Sequence, residues 1–234
     1  MKRNKMKLYL SMLLLMAFVV WTVLVLFVDV SSIGPNNSKV GLSTLNGVVH
    51  NLIGTNLALY NITDWLGLVP IITSLIFAVF GLIQLIKRKS IIKVDWNIIT
   101  LGLFYIVVFI IYVMFEYIVI NYRPVLINGY LETSYPSSTT MLVITVMITT
   151  IMQINSRVKN KIIKISINTI ISLFIVFMLI GRIISGVHWF SDIVGGALIS
   201  TGLVILYDVL SFENNNLRRK YEQLRINKCK KSID

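Results

Sequence analysis

A single cysteine among 234 residues, Cys229, has no partner for an intramolecular disulfide and cannot build a cysteine metal cluster. Charge is scarce too: 14% of residues are charged while 56% are hydrophobic. A chain of that composition cannot cover its apolar surface in water, which excludes a soluble globule and makes the bilayer the solvent. No internal repeat and no low-complexity tract interrupts it.

What the chain has is long apolar runs. Six are read at 8–28, 65–86, 98–120, 138–154, 165–180 and 190–212, most of them near the roughly 20 residues that cross a hydrocarbon core. The first follows a basic flank, as a signal peptide does. It is longer than an ordinary apolar signal region and no small-residue cleavage site follows, so it reads as a retained anchor. Four basic residues (Lys2, Arg3, Lys5, Lys7) precede the first run, and four (Lys87, Arg88, Lys89, Lys93) separate the second and third. Four more (Arg157, Lys159, Lys161, Lys164) separate the fourth and fifth, and seven (Arg218, Arg219, Lys220, Arg225, Lys228, Lys230, Lys231) follow the sixth. The positive-inside rule then predicts a multi-pass cell-membrane protein with both termini cytoplasmic. Its fold class is all-α: a bundle of six transmembrane helices over 1–212 and a basic cytoplasmic tail over 213–234. The net charge of +12 is spread over segments that flank the spans, which points to orientation and anionic lipid headgroups rather than nucleic acid. Cys229 in that tail reads as an incidental thiol.

Only Lys39, Arg123 and Arg182 fall on the outer side. The outer loop over 30–64 opens on turn residues and then carries Leu42, Leu45, Val49, Leu52, Ile53, Leu57 and Tyr60 at helical spacing, which predicts an amphipathic helix in the outer interface. His50 on it reads as a polar-face residue. The second outer loop holds Arg123-Pro124, and later Glu132-Thr133-Ser134-Tyr135-Pro136-Ser137-Ser138-Thr139-Thr140. Its prolines break helix at both ends. The hydroxyls of Ser137, Ser138, Thr139 and Thr140 cap the next helix, and the free N–H groups there also suit a phosphate.

The third outer segment, 181–196, contains Arg182, His188 and Asp192. With Asp192 in the first turn of the sixth span, the four-residue spacing puts carboxylate and imidazole on one face, so that one ring nitrogen is held and the other directed outward. Ionisable residues at the end of a span are costly and mark function by default.

Arg182, five residues, His188, three residues and Asp192, followed by Gly195-Gly196, resembles the third signature motif of the type-2 phosphatidic acid phosphatase superfamily. Arg123-Pro124 resembles the end of its first motif, and Tyr135-Pro136-Ser137-Ser138-Thr139 stands where its second, aromatic-Pro-Ser-Gly-His, belongs. The resemblance implies a membrane lipid phosphatase in which His188 attacks phosphorus and Asp192 orients it. Arg123 and Arg182 would bind the phosphoryl oxygens, with Ser137, Ser138 and Thr139 as further ligands. It implies neither metal nor cofactor, since two guanidiniums and helix-end N–H groups supply the positive charge. Water would then hydrolyse the phosphohistidine.

The sequence departs from that pattern at several places. Glu116 stands where the first motif opens with lysine. Counted along a helix, it falls two turns before Arg123 on the same face, where it would steady a cation or face the bundle interior. Gly181 replaces a serine, Ser138 a glycine, and Thr139 the histidine that protonates the leaving group. An alkoxide leaving group is about as basic as hydroxide, whose parent water has a pKa of about 15.7. A phosphate monoester leaves with a second pKa of about 6, so a polyprenyl pyrophosphate on the outer leaflet fits an enzyme without that acid. The alternative is a degenerate relative that binds phosphorylated lipid without turning it over.

Overall fold

The computed structural model describes residues 2–231 and, within them, the side chains of residues 4–211. Among the described residues there are eight α-helices and no β-strand. Six stretches are long and apolar enough to cross a membrane: Asn4–Phe27, Leu57–Arg88, Trp96–Tyr117, Ser138–Arg157, Lys161–Ser185 and Phe190–Ser211. The chain is an all-α, multi-pass membrane protein.

The bundle is built around two of its least apolar helices, α6 (Ser138–Arg157) and α8 (Phe190–Lys231). More than half of the membrane-crossing window of each is buried in protein (61% and 56%), against 6% for the fifth span, α7 (Lys161–Ser185). Polarity explains the difference, because a hydroxyl facing lipid has no partner outside its own helix. The buried Thr149 of α6 shares a 2.9 Å hydrogen bond with the Tyr105 hydroxyl, and Gln153 donates to the Tyr207 hydroxyl at 2.9 Å. The first span, α1 (Lys2–Phe27), lies along α8 through small residues: Ser11 donates to the Gly202 carbonyl at 2.8 Å, and a Cβ at Gly202 would meet Leu15 at 2.9 Å.

The single amphipathic helix expected after the first span is two helices, α2 (Ser43–Ile53) and α3 (Leu57–Leu66). Gly54, at φ +70°, breaks the stripe, and Asn56 restarts it by accepting from the Leu59 N–H at 2.9 Å. Gly67 keeps a helical conformation, so α3 runs almost directly into α4 (Leu68–Arg88). The 65–86 span thereby becomes Leu57–Arg88. The fifth span, expected over 165–180, carries on to Ser185 and takes Arg182 into the helix, where its guanidinium finds partners from α3. The third span, α5 (Trp96–Tyr117), stops three residues short of the expected 120. The tail over 213–234 begins in α8, which continues as helix to Lys231; its side chains, Cys229 included, lie outside the described residues.

Candidate active site

Residues 118–137, between α5 and α6, fold back as a loop pinned by an isolated bridge between Tyr122 and Thr133. Arg123 N–H donates to the Glu132 carbonyl and Ser134 N–H to the Asn121 carbonyl, each at 3.0 Å. The loop rests on the start of α8. Trp189 Nε1 donates to the Tyr122 carbonyl at 2.7 Å, and Ser137 N–H to the Asp192 carbonyl at 3.0 Å. The small pair Gly195-Gly196 makes this approach feasible. A Cβ at Gly195 would stand 2.8 Å from the Tyr135 ring, and one at Gly196 2.9 Å from the Ser137 carbonyl. Tyr135 is itself wedged against Phe18 and Phe115, and its hydroxyl shares a 2.7 Å hydrogen bond with Thr22.

His188 lies in the turn between α7 and α8, 5% exposed. Its Nδ1 is 3.2 Å from the Ser134 carbonyl. A carbonyl only accepts, so Nδ1 carries the proton and Nε2 the lone pair. Nε2 is buried and has no hydrogen-bond partner. Burial, reinforced by the Arg123 and Arg182 guanidiniums, holds the His188 pKa well below 6.5 and keeps the ring neutral.

Asp192 departs from the simple picture of a carboxylate clamped to the imidazole. Its Oδ2 is 3.8 Å from His188 Nδ1 and accepts instead from the Trp189 N–H at 3.0 Å, as a first-turn cap of α8. Its Oδ1 takes Asn121 Nδ2 at 3.2 Å and the Ser191 hydroxyl at 3.3 Å. His188 precedes the helix rather than sharing its face, so the carboxylate fixes the turn that carries the ring, and the ring itself is held by a main-chain carbonyl.

The two arginines have different surroundings. Arg123 lines a cavity of about 240 Å³ together with His188, Glu116, Glu132, Ser134 and Ser138. Its Nε lies 3.1 Å from Glu132 Oε2, outside hydrogen-bonding geometry, and neither Nε nor Nη1 has a hydrogen-bond partner. Arg182, 1% exposed, does not line that cavity. Its Nη2 bonds Asp64 Oδ1 at 3.0 Å and the Thr139 hydroxyl, while Nη1 stands 3.5 Å from Thr63 Oγ1. Gly181 permits this approach, since a Cβ there would meet Thr63 at 2.7 Å. Both guanidiniums lie over the Tyr60 ring, 5.7 Å from its centre for Arg123 and 5.2 Å for Arg182.

Of the hydroxyls expected to bind phosphate, Ser138 lines the cavity. Ser137 is fully buried as the cap of α6 and accepts from the Thr140 hydroxyl at 3.0 Å. Thr139 is turned to Arg182. Glu116 and Arg123 do not share a helix face, because α5 ends at Tyr117; Glu116 accepts from the Thr133 hydroxyl at 3.2 Å across the mouth of the cavity. His50, remote in sequence, comes close to the turn: it lines a narrow crevice with His188, and its ring centre is 5.5 Å from that of Trp189. No spacing or charge signal marks Tyr60, Thr63 or the Ser134 carbonyl as part of the site. Asp64, an acid at the end of a span, carried the same cost signal that singled out Arg182.

The PAP2 superfamily pattern matches residues 116–216, a stretch that contains every one of these motif residues. Over this part the chain is similar to the PAP2 superfamily. Among solved structures, the first transmembrane PAP2-type phosphatidylglycerolphosphate phosphatase from Bacillus subtilis is similar, with a TM-score of 0.58 and 16% identity over 88% of this chain and 96% of that one. At that identity the likeness shows a shared fold. The comparison with curated proteins gives no match.

Proposed function

We propose that the protein is a lipid phosphatase that removes a phosphate or pyrophosphate head group through a phosphohistidine on His188, with no metal or other cofactor. The observation that carries this reading is the buried, unpartnered Nε2 of His188 in the same cavity as the unpartnered Nη1 of Arg123. A neutral imidazole lone pair and a free guanidinium donor, both out of water, suit attack on phosphorus and neutralisation of the oxygens. In the first step Nε2 bonds to phosphorus as the bond to the leaving oxygen breaks. That oxygen takes a proton from water, because Thr139 cannot act as an acid. In the second step water attacks phosphorus, the P–N bond breaks, and phosphate and the free ring are restored. Arg123 and Ser138 hold the phosphoryl oxygens, Arg182 adds charge from beyond Tyr60, and Asp192 positions the turn. The charge distribution supports an outward-facing site with both termini cytoplasmic.

Incubation of purified protein with ³²P-labelled lipid phosphate or diphosphate should give an acid-labile phosphoprotein in the parent and none in His188→Ala. Turnover by His188→Ala at the parental rate would overturn the reading. The binding-only alternative has one observation in its favour: Asp64 already occupies Arg182, and a phosphate must compete with it. Bound but uncleaved lipid in the parent would decide for that alternative. For the topology, Cys229 should react with an impermeant thiol reagent only after the cells are opened.

A further inference from the structure

The cavity beside His188 contains a single guanidinium, from Arg123, and two carboxylates, from Glu116 and Glu132. Glu116 stands at its mouth, exposed, with the Thr133 hydroxyl as its hydrogen-bond partner; no cation pairs with it among the described residues. Glu132 is 3.1 Å from Arg123 Nε and leaves Nη1 free. With His188 neutral, the lining carries one positive and two negative charges. One phosphoryl group can bind between Nη1 of Arg123 and Nε2 of His188. A second phosphate, joined to the first by one oxygen, would share the same cavity of about 240 Å³ with the Glu116 and Glu132 carboxylates, which only accept, and its lining offers hydroxyls such as that of Ser138 but no second cation. Like charges brought together at a binding surface select strongly against the wrong ligand.

Building on the phosphatase reading above, we propose that Glu116, assisted by Glu132, is a specificity determinant that admits a lipid monophosphate and disfavours a lipid diphosphate. The selection acts on binding. Once bound, a diphosphate would still have the better leaving group, so the two substrates differ in opposite directions in KM and kcat.

The experiment uses the full chain in detergent micelles and the variants Glu116→Lys, Glu116→Gln and Glu132→Gln. Titration calorimetry with inorganic phosphate and inorganic pyrophosphate reads the preference without needing turnover. Farnesyl phosphate and farnesyl diphosphate, which share one tail, read it in kcat and KM. The parent should bind phosphate at least about tenfold more tightly than pyrophosphate, and Glu116→Lys should move that ratio by about ten- to a hundredfold toward pyrophosphate, a shift of about 1.4 to 2.8 kcal/mol. The glutamine variants should move it part of the way, and in turnover the change should fall mainly on KM. Because Glu116 is exposed, the glutamine variant tests the idea even if the lysine variant fails to fold. Equal parental binding of the two anions, binding of neither, or a ratio unmoved within about twofold by every variant would overturn the proposal. If no lipid is turned over while the binding preference and its shift persist, the phosphatase reading falls and this inference stands.

Discussion

Both ends of the bundle set arginines against carboxylates, but they differ in what is left unsatisfied. At the end away from His188, Asp95 accepts from Arg88 at 2.8 Å, Gln84 at 2.9 Å and Arg157 at 3.3 Å, and Lys7 pairs with Asp208. Every cation in these clusters has an anion. At the His188 end Arg123 and Arg182 also face carboxylates, Glu132 at 3.1 Å and Asp64 at 3.0 Å, yet Arg123 Nε and Nη1, Arg182 Nε and His188 Nε2 are buried without hydrogen-bond partners. Buried polar groups are normally satisfied, so a cluster of vacancies at one end needs a reason. The paired end joins helices, and the His188 end leaves buried donors and a lone pair without protein partners.

The largest effect expected from this contrast is that of His188→Ala, which should lower kcat by at least about 10⁴-fold with the protein still folded by circular dichroism. Arg123→Ala should cost about 10²- to 10³-fold in kcat/KM, the usual loss of one preorganised donor to an oxyanion. If Arg88→Ala in the paired end cost as much, the contrast between the ends would collapse.

The pH profile sharpens it further. Since the His188 pKa in the folded protein lies well below its ordinary 6.5, the acid limb of kcat/KM assigned to this residue should fall below pH 6.5, with the rate declining only as the ring protonates. The same depression links pH to stability. Above pH 6.5 neither the folded nor the unfolded chain protonates this ring. As pH falls from 6.5 to the folded pKa, the unfolded chain takes up the proton first, and stability is lost through that window. A titration of His188 at 6.5, followed by NMR of the labelled ring, would contradict the buried, neutral site. The smallest effect should come from Asp95→Asn. Its partners are partly exposed, so about 1 kcal/mol or less of stability is expected to be lost, seen as a small drop in Tm with kcat/KM unchanged.

The spans were legible because each is a run of apolar residues bounded by charge, and hydrophobic length is a local property. Their ends are less legible. Arg182 looked like a loop residue, since a cation ends a hydropathy window, yet α7 carries it another turn because Asp64 and Thr139 receive its guanidinium. The stripe from Leu42 to Tyr60 predicts one helix, but Gly54 at φ +70° divides it. A glycine inside a pattern signals a break only when the chain on both sides has somewhere to pack.

At the site, sequence spacing singled out His188, Asp192, Arg123 and Arg182 because the third motif is nearly contiguous and the first supplies an out-of-place cation. Spacing could not say which atom holds Nδ1. That is the Ser134 carbonyl, 54 residues away, and a main-chain oxygen leaves no mark in residue identity. Nor could it place Glu116, since a helix count past Tyr117 assumes a helix that the loop ends. The sequence alone determined a six-span bundle and a cluster of ionisable residues at span ends, because both follow from the cost of polar groups in lipid. Only the tertiary structure decided which of those groups are satisfied and which remain free, because a hydrogen-bond partner is fixed by where distant segments meet.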